Sequence, residues 1–333
     1  MGRWASLVLG AAAGAWLAAP AARAGLPAPP VFKWQRCPVA YCETGWYASP
    51  AAADVDGDGQ IDALWGGYTL LAVNGASGAL EWSYAAPGGG RIWSDVAVSD
   101  VRGDHHLEVV AAFYGDLLVL DGRGAPQSGW PKQPFAGDEM RTLAVADLDG
   151  DGAREILVAR AAGVTSQQWS VLEPSGSTRA GWPRRQPADP GSSAGCFNQN
   201  LAVADLDGDG KAEVIFTTWT QKDSGRAGEL KILDYQGNEL ASVALPHAAG
   251  HTWGALGAPT LANIDSDPDL EVLVGTADAG LVAYDLPGTG GARVLWGTGR
   301  GNLARTAPEP DALASGWVGL LALAGLAAAS RKR

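Results

Sequence analysis

Apolar residues in this chain fall in short runs rather than in helical stripes. Leu143-Ala144-Val145-Ala146 and Leu201-Ala202-Val203-Ala204 each lead into a cluster of aspartates and glycines, and Ile156-Leu157-Val158 and Val214-Ile215-Phe216 follow those clusters. Runs of this length, rich in β-branched residues and bounded by turn residues, predict strands. The order then repeats. Residues 63–65 are followed by 70–73, the turn Asn74-Gly75 and 80–82. A second unit reads 95–98, 109–113, 117–120 and the turn Asp121-Gly122, and a third reads 143–146, 156–159, 169–172 and Pro174-Ser175-Gly176. A fourth reads 201–204, 214–218, 230–233 and 240–245, and a fifth 272–274, 281–284 and 294–296. Four strands per unit, repeated in series, predict an all-β fold, a β-propeller of about five to six blades and at most seven.

The first hairpin of each unit carries the most regular motif. Asp54-Val55-Asp56-Gly57-Asp58-Gly59-Gln60-Ile61-Asp62 has carboxylates at positions 1, 3, 5 and 9 and glycine at position 6. Asp147-Leu148-Asp149-Gly150-Asp151-Gly152-Ala153-Arg154-Glu155 and Asp205-Leu206-Asp207-Gly208-Asp209-Gly210-Lys211-Ala212-Glu213 copy it. Asn263-Ile264-Asp265-Ser266-Asp267-Pro268-Asp269-Leu270-Glu271 is looser, and Asp100-Val101-Arg102-Gly103-Asp104-His105-His106-Leu107-Glu108 is degraded. The five copies, loops one to five in chain order, begin 46, 47, 58 and 58 residues apart, a period that marks a repeat architecture.

Alternating carboxylates on a tight loop aim oxygens at one centre, which suits a hard cation with flexible coordination, calcium (Ca2+) rather than magnesium. The expected ligands are Asp54, Asp56, Asp58, the Gln60 carbonyl and Asp62 in loop one, and Asp147, Asp149, Asp151, the Ala153 carbonyl and Glu155 in loop three. Loop four offers Asp205, Asp207, Asp209, the Lys211 carbonyl and Glu213; loop five offers Asn263, Asp265, Asp267, the Asp269 carbonyl and Glu271. Position 12 is Trp65, Val158, Phe216 or Val274, so these are not EF-hands, which need glutamate there. Without an ion the carboxylates would repel one another. In loop two Arg102 replaces the acid at position 3 and reads as an internal cation standing in for the ion.

The ends add a location. Met1-Gly2-Arg3, an apolar run and Ala22-Arg23-Ala24 read as a secretory signal over 1–24. Residues 25–46 form a proline-rich lead in which Val31-Phe32-Lys33-Trp34 could close the ring as a strand, and 47–304 hold the repeats. A linker, 305–311, contains Pro308-Glu309-Pro310; 312–333 is an apolar stretch ending in Arg331-Lys332-Arg333, and its nineteen apolar residues would span about 28 Å as a helix. This tail resembles a PEP-CTERM sorting signal. The resemblance implies a processing peptidase, an exosortase, as partner, with the membrane met only through the C-terminal helix and the body outside the cytoplasmic membrane of a Gram-negative cell. A permanent single-span anchor is the other reading.

The formal charge is −12, and eighteen of the 36 acids stand at the loops' positions 1, 3, 5 and 9. That acidity argues against nucleic acid, which needs a basic face. Cys37 and Cys42 could pair in an oxidising compartment, leaving Cys196 over. No catalytic residue is assigned. His247 and His251 are four apart, but Pro246 and Gly250 argue against a helix that would align them, and a zinc site needs a third ligand.

Trp82, Trp130, Trp182 and Trp296 fall 28 to 35 residues after their loops begin and are read as packing between blades. The loops with their strands, the turns Gly129-Trp130-Pro131 and Gly181-Trp182-Pro183, and Gly257-Ala258-Pro259 resemble the FG-GAP/VCBS repeats of integrin-α-type propellers. The resemblance covers about 47–300 and implies calcium loops on one face and partner binding on the other surfaces. The expected function is a secreted or surface-associated calcium-binding scaffold for adhesion to extracellular protein or polysaccharide. The alternative is a propeller enzyme, quinoprotein-like or polysaccharide-active. The stretch Ala72-Val73-Asn74-Gly75-Ala76-Ser77-Gly78-Ala79-Leu80-Glu81-Trp82 resembles the tryptophan-docking motif of quinoproteins and supports it.

Overall fold

The structure, a computed structural model, describes residues 31–37, 42–43, 50–85, 89–160, 166–187, 201–218, 227–248, 254–255, 257–297 and 301. The predicted signal, the sorting tail, Cys196, His251 and most of the two polar inserts at 188–200 and 220–228 lie outside these residues. Among the described residues no helix is long and apolar enough to cross a membrane.

Every described element is a strand, and the strands form five antiparallel sheets in chain order. Sheet one joins β1 (Ala51–Ala53), β2 (Asp62–Gly66), β3 (Thr69–Asn74) and β4 (Leu80–Ala85). Sheet two joins β5 (Ala97–Ser99), β6 (Glu108–Phe113) and β7 (Asp116–Leu120); isolated bridges from Leu117 to Lys132 and from Leu120 to Pro126 replace a fourth strand. Sheet three joins β8 (Met140–Ala146), β9 (Glu155–Arg160), β10 (Ser166–Leu172) and β11 (Arg184–Pro187). Sheet four holds β12 (Leu201–Asp205), β13 (Glu213–Thr217), β14 (Glu229–Leu233) and β15 (Glu239–Ala244), and sheet five β16 (Thr260–Ala262), β17 (Leu270–Gly275) and β18 (Leu281–Leu286). The final strand, β19 (Arg293–Trp296), was expected to end unit five. It pairs instead with the inner edge of β12, Val203 opposite Trp296 and Asp205 opposite Arg293. Leu261 N in β16 also donates to Gly297 O at 2.9 Å, so β19 ties sheet four to sheet five.

Sheets one to four pack in series through their first strands. β1 packs on β5, β5 on β8 and β8 on β12, while β5 and β12 are buried throughout and the outer strand β15 is exposed at all six positions. That gradient from centre to rim is the arrangement of propeller blades. Strands in the middle of a blade are buried on both faces. In β6, Val109, Ala111 and Phe113 join the core shared with sheet one, while Val110 and Ala112 join the core shared with sheet three. β13 repeats this, with Val214 and Phe216 on one side and Ile215 on the other. Such strands read as continuous apolar runs because period two feeds two cores at once.

The predicted tryptophans lock the blades in series. Trp82 Nε1 donates to Gly122 O (2.9 Å), Trp130 Nε1 to Pro174 O (3.3 Å) and Trp182 Nε1 to Tyr235 O (3.2 Å). Each indole therefore caps a carbonyl in the outer turn of the next unit. Cys37 and Cys42 are joined by a disulfide. Val31-Phe32-Lys33-Trp34, expected as a closing strand, is irregular, with Val31 and Phe32 exposed.

Candidate metal centre

Each acidic loop bridges the first two strands of its sheet: loop one joins β1 to β2, loop three β8 to β9, loop four β12 to β13 and loop five β16 to β17. Their internal bonding repeats. The position-1 carboxylate accepts the amides of positions 4 and 6, as Asp54 does from Gly57 and Gly59 (both 2.9 Å), Asp147 from Gly150 and Gly152 (2.7 and 3.1 Å) and Asp205 from Gly208 and Gly210 (2.8 and 3.1 Å). This wrap requires the left-handed backbone that glycine adopts freely, as at Gly59 (φ 86°). Position 3 accepts from position 5, and position 5 from position 7: Gln60 N donates to Asp58 at 2.7 Å, Ala153 N to Asp151 at 2.8 Å, Lys211 N to Asp209 at 2.7 Å and Asp269 N to Asp267 at 2.9 Å.

The position-9 acid sits under the loop. One oxygen accepts the position-2 amide: Val55 on Asp62 (3.0 Å), Leu148 on Glu155 (2.8 Å), Leu206 on Glu213 (2.8 Å) and Ile264 on Glu271 (2.7 Å). In loops three, four and five the folding constraint and the candidate ligand are thus one side chain, whereas in loop one Asp62 lies outside the cluster of Asp54, Asp56 and Asp58. Glu271 Oε1 is buried with no hydrogen-bond partner, and Asp62 shares a hydrogen bond with the Glu81 carboxyl. Leaving a buried carboxylate oxygen unpaired is costly, and a cation is the partner that suits it.

Of the expected ligands, the structure brings together Asp54, Asp56 and Asp58; Asp147, Asp149 and Glu155; Asp205, Asp207 and Glu213; and Asp265, Asp267 and Glu271, with one oxygen from each within 4.8 Å of the others. Asn263 turns its side-chain amide to Asp267 O at 2.6 Å, since Pro268 has no amide to offer it. The protonation of the deep acids reflects crowding. Burial, reinforced by the loop aspartates, pushes Glu213 up to about 7, and burial raises Asp62 as well. Burial pushes Glu155 up to about 8, against the pull of Arg179. Loops one, four and five thus present a hard-oxygen donor set short of positive charge, and that set fits calcium.

Two residues near the loops escaped the sequence reading. Glu81 on β4 faces Asp62 and is pushed up to about 7, first by desolvation and then by the Asp62 charge. Arg179 reaches loop three, where it bonds Asp149 and Glu155. Nothing in the acidic motif signals either one, because both enter from a unit's outer end. Arg102 pairs with an acid of its own loop, 3.5 Å from Asp104 at position 5, and its charge also pulls Glu108 downward, while its half-exposed side chain donates to Gln127 at 3.1 Å. His105 takes the left-handed conformation of the missing glycine (φ 66°), and Asp104 and His105 amides still wrap Asp100 at 3.0 and 2.8 Å.

Neighbouring loops are bonded to each other. Arg154 N of loop three donates to Val101 O of loop two at 2.8 Å, and Ala212 N of loop four donates to Leu148 O of loop three at 2.9 Å. Both bonds run from position 8 of one loop to position 2 of the loop before it.

Residues 147–216, spanning loops three and four, match the FG-GAP-like repeat. Two rhamnogalacturonan lyases, YesW and that of Bacillus licheniformis, are similar in structure, each at 22% identity and a TM-score of 0.49 over 77% of this chain and 51% of the lyase. BamB from Moraxella catarrhalis aligns at 15% identity and a TM-score of 0.42 over 76% of this chain and 63% of its own. The chain spans about half the length of the lyases it resembles. No curated protein matches the sequence.

Proposed function

We propose that this chain is an exported calcium-binding propeller that serves as an interaction scaffold for extracellular protein or polysaccharide. The observation that carries the reading is the recurring set of converging carboxylates, with a buried, unpartnered oxygen beneath it at Glu271. Asp54, Asp56, Asp58 and Asp62 would hold one ion, Asp205, Asp207 and Glu213 a second, and Asp265, Asp267 and Glu271 a third. A bound divalent ion supplies the positive charge these loops lack. The protein's share is to fix the oxygens: glycine turns wrap the position-1 acid, and the position-2 amide orients the position-9 acid. Affinity in the millimolar range typical of extracellular modules suits such loops. The Cys37–Cys42 disulfide supports an oxidising compartment and agrees with the signal-like N-terminus.

Thermal melting of the mature protein tests the reading. EDTA should lower the melting temperature by many degrees, calcium should restore it, and magnesium should do so poorly. A melting curve indifferent to EDTA and calcium would overturn the proposal. The scaffold role predicts that the protein co-sediments with exported matrix polysaccharide or envelope fragments in calcium and is released by EDTA.

A further inference from the structure

Loop three differs from loops one, four and five because a buried cation already sits on its carboxylates. Arg179 follows the outer turn of unit three, and its side chain is 9% exposed. Its Nη2 lies 2.5 Å from Asp149 Oδ2, and its Nη1 lies 3.0 Å from Glu155 Oε1 and 3.2 Å from Glu173 Oε1. Asp149 and Glu155 are two of the three acids that converge in this loop. The backbone holds the residue in place, with Arg179 N on Val171 O at 2.9 Å and Trp182 N on Arg179 O at 3.1 Å. The Tyr235 ring of the next unit covers the guanidinium, 5.6 Å from its centroid.

In units one and two the equivalent position carries no positive charge. Gln127 N bonds Val119 O and Trp130 N bonds Gln127 O, the same two links, so Gln127 is the counterpart of Arg179 in unit two. In unit one the outer strand brings an acid, Glu81, toward the loop instead. Loops that read alike along the chain therefore meet opposite charges from the outer part of their own units.

We propose that loop three takes no calcium: Arg179 serves as its permanent internal cation, and ion binding is confined to loops one, four and five. A guanidinium keeps its charge at any pH the protein meets. Its bond to Asp149 is charge-assisted, and the guanidinium itself is largely sheltered from solvent. A divalent ion entering between those two carboxylates would stand beside a buried positive charge and be repelled by it. The arrangement gives the row of loops a fixed member. Loop three is bonded to loop two through Arg154 and to loop four through Ala212, so it can hold that register when calcium falls. This inference rests on the calcium reading above and narrows it.

Native mass spectrometry and anomalous diffraction from crystals grown in calcium test it on the intact mature protein. The wild type should show ions at loops one, four and five and none at loop three. Arg179→Gln, which installs the unit-two counterpart, should bind one more ion than the wild type, and adding Asp149→Asn to it should remove that ion. Asp207→Asn in the wild type should lose one ion, which confirms the count. An ion in wild-type loop three with Arg179 displaced, or an unchanged count in Arg179→Gln, overturns this inference and leaves the calcium reading standing. No ion at any loop in any variant overturns both. Should Arg179→Gln fail to fold, the wild-type diffraction map alone decides.

Discussion

Glu108 is buried to within 1% under loop two, the loop that lost its acid at position 3. Burial comes first in pushing its carboxyl up to about 7, and Asp104 and Asp100 add to it. A raised folded-state value means that the native protein holds a proton the unfolded chain has released. Stability from this group is therefore complete below the ordinary glutamate range and falls as pH climbs from about 4.5 to about 7. Glu108→Gln keeps an acceptor for the Val101 amide and removes the titration. In EDTA, the drop in melting temperature between pH 5 and pH 8 should be smaller for Glu108→Gln than for wild type by several degrees; equal drops would show that Glu108 ionises freely in the fold. At this scale the acids of the loops were legible because carboxylates at positions 1, 3, 5 and 9 have few other uses. Glu81 and Arg179 were not, because a side chain arriving from another strand leaves no mark in the motif it meets.

The elements were read more completely. Strands were expected close to where β2, β3, β6, β7, β9, β13 and β14 lie, since apolar runs bounded by glycine and aspartate leave little choice of structure. The tryptophans, expected between blades, do pack there, and each of three donates to the next unit's turn. Replacing Trp182 by Phe would keep most of the ring's packing and lose the donor to Tyr235 O. The expected cost is about 1 kcal/mol, the usual net worth of one hydrogen bond. Urea unfolding measures it, and a loss within error would mean that these indoles act through packing alone. The β19 partner was missed because an apolar strand of four residues carries no signal of which sheet edge it will meet.

At the scale of the whole molecule, the serial order of sheets follows the serial order of repeats, with one exception. β19 leaves its own unit to line the inner edge of sheet four, and Trp296, 2% exposed, joins the largest core cluster. Trp296→Ala should therefore destabilise by about 3–5 kcal/mol, as large-to-small changes in a packed core do. Leu240→Ala, on the exposed strand β15, should change stability by no more than about 0.5 kcal/mol. Paired urea titrations give both values; similar losses at the two sites would mean that β19 does not hold the centre.

The placement of that last strand also bears on how the protein is made. As the nascent chain emerges, sheets one to three have all their strands in hand soon after residue 187 is free of the ribosome. Sheet four does not, because its innermost edge stays bare until residue 296 is out, more than ninety residues after β12 was synthesised. A half-finished chain thus exposes the edge of a strand that is buried at every position in the finished fold, the kind of surface that holdase chaperones shield.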